Sequence, residues 1–428
     1  GPMAEFQLDS GAIARVEVMD AALARIRINP VGAFSTRESL AIAPRDLEPP
    51  LNPIFDTESV TWLITERMKI AVMKTPFRVV ALHADGGLMS ADLEHSVGFD
   101  AATGLILCRK YAPPDEAIFG LGMRGGPINR RGRTIFMRNT DSANYGEFTD
   151  PLYQSYPLYY GLFDGKAYGL FFDNPAYPFF DVASSEPGVL TFGAQQGELN
   201  YYLIAGPDPQ DVSRTYGRLT GFNPLPPQWS LGYHHSRYGW HSEAEVRQIA
   251  EELRAQDFPT DALWFDIDYM NNRQAFSWNP VTFPQPIQMH LDLRKDGFRS
   301  IYINEPCFRD DDRLWPYLDA LSYFVKNGTG DSLLNTIWFG NVSWYDFSYG
   351  EAYDWYKTQL RTFLSTGIDG LWNDLNEPAN NYMPDAQFYF DGDVRSETEA
   401  RNLYALLVNR VAYEAQLELR PNVRPWNF

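Results

Sequence analysis

The sequence predicts a two-domain fold that combines all-β and α/β architecture: an N-terminal antiparallel β-sandwich followed by a (β/α)8 (TIM) barrel. Short segments with period-two alternation of apolar and polar residues, separated by glycine-rich turns, fill the first half of the chain, as is typical of antiparallel sheets. Strand-like and helix-like segments alternate in the second half, as is typical of parallel βαβ units. We expect roughly the first half of the barrel to be present.

The sandwich prediction depends on several alternating segments, and its end is marked by a proline-rich run. The strand segments predicted there are 14–18, 24–28, 59–65 and 69–73. Residues 221–227, Gly-Phe-Asn-Pro-Leu-Pro-Pro, are stiff and cannot continue a strand. The sequence therefore predicts a sandwich domain at 4–225 and the first part of a catalytic barrel at 226–428.

The barrel prediction depends on the order of elements after residue 226. The predicted strands are 231–235, 262–267, 300–303, 370–372 and 423–426, and the predicted helices are 242–256, 287–296, 350–365 and 397–417. Because no glycine-rich phosphate loop follows the first strand, a barrel is favoured over a nucleotide-binding sheet. A closed barrel needs eight units, and an open one leaves an unpaired edge. We therefore expect a complementing C-terminal polypeptide or a homo-oligomer.

Composition narrows the classes of ligand. The chain of 428 residues has a formal net charge of −19 and is 15% aromatic. This charge disfavours nucleic-acid binding because phosphate backbones are repelled. No stretch approaches the roughly 20 apolar residues of a membrane-spanning helix, so a membrane role is not expected. Acidic and aromatic side chains together suit neutral, hydroxyl-rich ligands.

The sequence indicates neither a metal site nor a cofactor. Cys108 and Cys307 are too far apart in sequence for ligand-like spacing, and two buried free thiols are expected. His234 and His235 are neighbours on a predicted strand, so their side chains point to opposite faces and one metal cannot easily take both. With no secretory signal visible, a cytoplasmic protein is expected.

Polar side chains cluster where the predicted barrel strands end. Barrel enzymes carry their active sites at that face. The cluster comprises Arg237, Asp266, Asp268, Asn304, Glu305, Asp374, Asn376 and Glu377, with Trp264, Trp338 and Trp372 nearby in the predicted fold. Carboxylates that converge with aromatic rings predict a site for glycosidic bond cleavage.

Several motifs carry a resemblance to glycoside hydrolase family 31, the α-glucosidase and α-xylosidase family. Residues 370–378, Gly-Leu-Trp-Asn-Asp-Leu-Asn-Glu-Pro, resemble its nucleophile signature. Residues 263–270, Leu-Trp-Phe-Asp-Ile-Asp-Tyr-Met, resemble its second barrel strand. Further similar segments, in the family's order, are 119–122, 138–141, 168–174, 276–278 and 283–284. The resemblance covers most of the chain from about residue 115 onward.

The resemblance implies roles for individual residues. Asp374 would be the catalytic nucleophile and would form a covalent glycosyl-enzyme. In the family the general acid/base is an aspartate beyond an Arg-Pro stretch, which residues 420–426 resemble. No carboxylate of residues 1–428 can be assigned to that role, so the acid/base is expected outside the given chain.

The resemblance also implies how substrate would be bound. Asp266 would accept hydrogen bonds from hydroxyls of the terminal sugar. Trp372 and Ile303 would form the wall of the innermost subsite, with Trp338 nearby. Asp141 would come from an N-terminal loop that covers the barrel mouth.

The roles of some residues stay open, and other residues differ from those usual in the family. Asp268, Arg237 and Glu305 could contact substrate or support it through ion pairs. Met123 stands where the family often has an acidic residue, and Asn304-Glu305-Pro306 replaces a commoner Asp-Pro ending.

The resemblance implies a retaining, exo-acting α-glycosidase, foremost an α-glucosidase that acts on terminal α-linked glucosyl units of an oligosaccharide or α-glucoside. The alternatives are a transglucosylase or α-xylosidase of the same family, and a non-catalytic carbohydrate-binding homologue or fragment.

Overall fold

The computed structural model describes residues 2–8, 10–43, 47, 54–379 and 382–428. The chain divides into two compact units, Gly1–Phe222 and Asn223–Phe428. The domain limits 4–225 and 226–428 stay a prediction. Among the described residues, no helix is both long enough and apolar enough to cross a bilayer.

The first unit consists of antiparallel strands and one helix, α1 (Pro209–Thr220). Its strands are β1 (Met3–Gln7), β2 (Ile13–Asp20), β3 (Leu23–Asn29), β4 (Ile54–Asp56), β5 (Val60–Ile64), β6 (Met68–Lys74), β7 (Phe77–His83), β8 (Leu88–Phe99), β9 (Ile106–Tyr111), β10 (Ala117–Gly120), β11 (Arg133–Phe136), β12 (Leu158–Phe163), β13 (Lys166–Phe172), β14 (Phe179–Val182), β15 (Val189–Ala194) and β16 (Leu199–Ala205).

These strands form two antiparallel sheets that share one apolar core. One sheet has the order β1-β2-β3-β16-β13-β12-β10 and the other β11-β14-β15-β9-β8-β7-β6-β5-β4. Alternate residues of both sheets, such as Val16 and Ile26 in one and Ile70 and Phe192 in the other, are buried in the same cluster. This burial explains the period-two pattern, since successive side chains of a strand point to opposite faces. The predicted strands 14–18 and 24–28 lie within β2 and β3.

The second unit begins with strand–helix alternation. Its elements are β17 (Tyr233–His235), α2 (Glu243–Ala255), β18 (Thr260–Phe265), α3 (Pro286–Lys295), β19 (Arg299–Asn304), β20 (Cys307–Arg309), α4 (Trp315–Ala320), β21 (Leu334–Ile337), β22 (Gly340–Trp344), α5 (Gly350–Leu364), β23 (Gly370–Asn373), β24 (Gln387–Phe388), β25 (Arg395–Ser396) and α6 (Glu397–Leu419).

A parallel sheet of order β17-β18-β19-β23 forms the centre of this unit. Its edge continues at the chain's last residues, because Leu371 pairs in parallel with Asn427. The amide of Leu371 donates to the carbonyl of Trp426 over 3.1 Å, and that of Phe428 donates to Leu371 over 3.0 Å. The described residues form this open parallel sheet, and no closed barrel is seen among them.

The predicted helices correspond to α2, α3, α5 and α6, but three of the predicted strands had the wrong limits. Residue 231 ends a 3-10 turn (Gln228–Leu231), so the first strand begins only at Tyr233. The second strand ends at Phe265, because the next residue caps another 3-10 turn. At the predicted last strand, 423–426, only residue 426 takes part in the pairing with β23.

Candidate active site

The end of β18 directs alternate side chains to the two faces of the parallel sheet. Phe265 stacks on Tyr302 of β19 with ring centroids 4.2 Å apart, on the face that also carries His290 of α3. Because side chains alternate along an extended strand, Trp264 and Asp266 face the opposite side of the sheet. We call this side the inner face, since helices cover the other one. The ring of Trp264 lies 5.6 Å from that of Trp372 on β23, as expected for two residues on one face.

A row of buried amides holds the ends of β19 and β23 in register. The side-chain nitrogen of Asn304 donates to the side-chain oxygen of Asn373 over 3.3 Å. Tyr356 of α5 donates its hydroxyl to Asn304 over 2.9 Å, and Asn373 donates to Asn409 of α6 over 2.9 Å. These four side chains mark the face of the sheet that is covered by helices.

Glu305 and Asp374 follow these two asparagines and therefore point to the other face. The pairing of Asn304 with Asn373 continues one residue further, because the amide of Asp374 donates to the Asn304 carbonyl over 3.1 Å. Alternation then places Glu305 and Asp374 on the inner face together with Trp372. Two carboxyl groups on neighbouring strand ends are thus brought to the same side of the sheet.

The carboxyl groups of this cluster influence one another's protonation. Burial, followed by the negative charge of Asp374, raises the pKa of Glu305 from its ordinary value of 4.5 to about 8, against the opposing charge of Arg273. Burial also raises the pKa of Asp266, although its carboxylate accepts the Ile267 amide over 2.7 Å. At neutral pH, Glu305 is therefore a proton-holding group beside Asp374.

The predicted wall residues differ in exposure. Ile303 is paired with Trp372 across β19 and β23 and is 2% exposed. Trp338 is 65% exposed and lies at the turn between β21 and β22. The guanidinium of Arg273, in the loop after β18, lies 4.5 Å from the Trp338 ring and 5.0 Å from the ring of Phe339. Trp338 therefore forms an outer aromatic surface connected to the inner cluster through Arg273.

Asp268 and Arg237 each contact a polar side chain near the chain segment that carries them. The carboxylate of Asp268 lies 2.7 Å from Nδ1 of His241. Arg237 pairs with Glu245 over 3.0 Å and covers the ring of Trp240 at 5.3 Å. These contacts favour the supporting role that the sequence left open for both residues.

Aromatic rings line the inner face around Trp264. Trp264 contacts Trp426 and Phe428, with ring centroids 5.4 and 5.7 Å away. His234 packs between Trp229 and Trp426, whereas His235 lies against Trp240.

Asp141 lies in the first unit, in a segment without regular secondary structure after β11, and is half-buried. Its role over the barrel mouth stays a prediction.

Cys108 and Cys307 are free and buried, as expected. Within the described ranges, no group of three or more His, Cys, Asp or Glu side chains is arranged to hold a metal ion.

Sequence reasoning missed three residues that organise this site: Arg273, Tyr356 and Asn409. Tyr356 and Asn409 lie on helices whose periodicity predicts only a buried face. Arg273 lies in a loop without periodic signal. None of the three carries a local pattern that could have revealed its partner.

Two family models match the chain. The Glycosyl hydrolases family 31 TIM-barrel domain matches residues 223–428, and the Glycosyl hydrolase 31 N-terminal galactose mutarotase-like domain matches residues 13–181. The chain belongs to glycoside hydrolase family 31.

Relatives within the family support this assignment. Alpha-glucosidase 2 of Bacillus thermoamyloliquefaciens is 32% identical over 429 residues, which span 98% of this chain and 54% of that protein. An alpha-glucosidase of Saccharolobus solfataricus is 30% identical over 275 residues, spanning 64% of this chain and 40% of the relative.

Among solved structures, a Flavobacterium johnsoniae family 31 dextranase, a mutant complexed with isomaltotriose, superimposes with a TM-score of 0.93 at 28% identity. The match covers 99% of this chain and 53% of the dextranase. The chain thus spans between 40% and 54% of the length of these three proteins.

Proposed function

We propose that the complete protein is a retaining, exo-acting α-glucosidase with Asp374 as its nucleophile. The observation that carries the proposal is the placement of Asp374 beside Glu305 on the inner face of the parallel sheet, next to Trp372. Carboxyl groups at neighbouring strand ends, above an aromatic floor, suit the cleavage of a glycosidic bond. The names of the curated family 31 relatives support α-glucosides as the substrate class.

In this mechanism, a carboxylate oxygen of Asp374 forms a bond to the anomeric carbon while the bond to the glycosidic oxygen breaks. A general acid protonates the departing oxygen. Water, deprotonated by the same group, then attacks the anomeric carbon and releases Asp374 as a carboxylate. The two displacements together retain the anomeric configuration. A neutral Glu305 leaves the negative charge on Asp374, as the first displacement requires.

Substrate binding is assigned to the residues around this carboxylate. Asp266 accepts hydrogen bonds from two hydroxyls of the terminal sugar, and Trp372 with Ile303 forms the wall of its subsite. Trp338 lies further out, towards solvent. From the family resemblance alone, Asp141 is proposed to approach the sugar from the N-terminal domain.

The general acid is proposed to be an aspartate outside residues 1–428, in a polypeptide that completes the barrel. The described strands account for part of an eight-stranded barrel, and the relatives are about twice as long as the matched region. Retaining chemistry places the acid ~5–5.5 Å from the nucleophile.

The test is Asp374→Asn in the complete protein, with Asp354→Asn on the exposed face of α5 as the matched control. We expect loss of turnover on 4-nitrophenyl α-glucoside in the Asp374→Asn variant only. Circular dichroism should show that both variants are folded. A fluorinated glucosyl fluoride should label Asp374, which peptide mass spectrometry detects. Residual activity above about a tenth of the parent, or label on another residue, removes Asp374 from this role.

A further inference from the structure

One nitrogen of the Arg273 guanidinium has no hydrogen-bond partner in the part of the chain that the structure describes. Its Nη1 atom is buried and makes no hydrogen bond within the described residues. Arginine carries five N–H donors and no acceptor, so an N–H group without a partner can form a hydrogen bond only to an acceptor atom such as oxygen. A buried donor that makes no hydrogen bond destabilises the folded protein. A buried guanidinium nitrogen without a partner, next to a candidate sugar site, points to a ligand atom.

Two aromatic rings and an unusual backbone conformation surround this guanidinium. It lies against the rings of Trp338 and Phe339, which meet edge to face with centroids 4.9 Å apart. The backbone is also unusual, with φ of 51° at Asn272 and 58° at Arg273. Non-glycine residues with positive φ are uncommon and are found preferentially where the surroundings fix them, often at functional sites.

Arg273 lies within electrostatic range of the carboxyl cluster and also contacts the exposed Trp338. Its charge acts on both Asp266 and Glu305, which face the inner side of the sheet. On its other side it contacts Trp338, which is largely open to solvent. If the terminal sugar lies against the buried wall at Ile303, the next sugar along the substrate lies towards Trp338.

We propose that Arg273 is a specificity-determining residue whose Nη1 donates a hydrogen bond to a hydroxyl oxygen of the leaving-group sugar. The ligand class is the second glucose unit of an α-linked oligosaccharide, as opposed to an aryl leaving group. This inference rests on the proposed α-glucosidase function.

The experiment compares two substrates in the complete protein: the α-linked glucose disaccharide that the parent cleaves best, and 4-nitrophenyl α-glucoside. The quantity measured is the ratio of their kcat/KM values. Arg273→Lys keeps the positive charge but loses the guanidinium fork. Arg273→Gln also loses the charge. For both variants we expect the ratio of kcat/KM for the disaccharide to kcat/KM for the aryl glucoside to fall roughly 10- to 100-fold. This is the range expected for the loss of one charge-assisted hydrogen bond.

Arg254→Lys is the matched control. Arg254 also covers an aromatic ring, that of Phe298 at 3.6 Å, but it bonds to the carbonyl of Thr260 at the opposite end of β18. Its substitution should leave the ratio unchanged. Because both substrates are measured on the same sample, a partly unfolded variant lowers both rates equally and does not alter the ratio.

Two results would overturn the inference, and they are distinguishable. If the parent cleaves both substrates and the Arg273 variants keep the ratio within about threefold, Arg273 has only a structural role and the proposed function stands. If the complete parent cleaves neither substrate, the proposed function and this inference fail together.

Discussion

At the residue scale, we expect Asp266 to contribute much more than Trp338 to substrate binding in the proposed subsite. A carboxylate that accepts two sugar hydroxyls makes two charge-assisted bonds, each worth roughly 1.5–3 kcal/mol. We therefore expect Asp266→Ala to lower kcat/KM for 4-nitrophenyl α-glucoside by about 100-fold or more. Trp338→Ala, at a ring that is 65% exposed, should have a much smaller effect on this substrate. Unchanged kcat and KM in both variants would rule out this strand end as the sugar pocket.

The protonation of Glu305 gives a second prediction at this scale. Its pKa is raised from 4.5 to about 8 in the folded protein, by burial first and then by Asp374. The folded state therefore binds more protons than the unfolded state between these pH values, and stability falls as the pH rises through that window. Glu305→Gln removes this titration. The difference between the urea midpoint of the variant and that of the parent should therefore be more positive at pH 9 than at pH 5.

The control for this measurement is Glu251→Gln, at an exposed position of α2. It should shift the midpoint equally at the two pH values. An equal shift for Glu305→Gln as well would mean that Glu305 ionises normally in the folded protein.

Some site residues could be predicted from the sequence and others could not, because only some of them lie at a recognisable place in a strand. Asp266 and Asp374 each follow a strand-like segment, so the meeting of strand ends in a parallel sheet predicts that they face the site. The raised pKa of Glu305 depends on Asp374, 69 positions away in the sequence. The position of Arg273 depends on two positive φ angles in a loop. Neither a neighbour on another strand nor the conformation of a loop produces a periodic pattern in the amino-acid sequence.

At the scale of elements, α6 offers a test of how its N-terminus is fixed. Ser396 and Glu399 form a capping box, in which the serine oxygen accepts the backbone N–H three residues on and the glutamate binds back to the serine amide. Removing such a cap typically costs about 1 kcal/mol. Ser396→Ala should therefore lower the free energy of unfolding of the second unit by about that amount, measured by urea denaturation.

Ser365→Ala, at the exposed C-terminal end of α5, is the comparison. It lies at the other end of a helix and makes no N-cap, so its effect should be within about 0.5 kcal/mol of zero. Equal effects of the two substitutions would mean that the capping box contributes little to stability.

Elements were predictable where their hydrophobic periodicity was long. Helix α6 presents Tyr404, Val408 and Val411 to the core at helical spacing, and the predicted 397–417 lies within its 23 residues. The short strands β20, β21 and β22, of three to five residues, were not predicted. They form their own small sheet between β19 and α5, and a strand of that length carries too few alternations to be recognised.

At the scale of the whole molecule, the inner face of the parallel sheet determines what residues 1–428 can do alone. Trp264, Trp372, Trp426 and Phe428 form an aromatic surface there. In a closed barrel the inner face is filled by side chains from all eight strands. An aromatic surface of this kind, left uncovered, favours association or the binding of hydrophobic dyes.

We therefore expect residues 1–428, produced alone, to bind a hydrophobic dye or self-associate and to cleave α-glucosides at least about 100-fold more slowly than the complete protein. The lower limit comes from the absence of an assigned general acid, whose contribution is typically ~10²–10⁴-fold. Addition of the polypeptide that completes the barrel should both abolish dye binding and restore turnover. The same polypeptide with its acid/base aspartate replaced by asparagine should still abolish dye binding but should not restore turnover. Dye fluorescence, light scattering and steady-state kinetics measure these effects. A monodisperse monomer of residues 1–428 with full α-glucosidase turnover would show that the acid lies within this chain, and Glu305, which holds a proton beside Asp374, would then be the first residue to test.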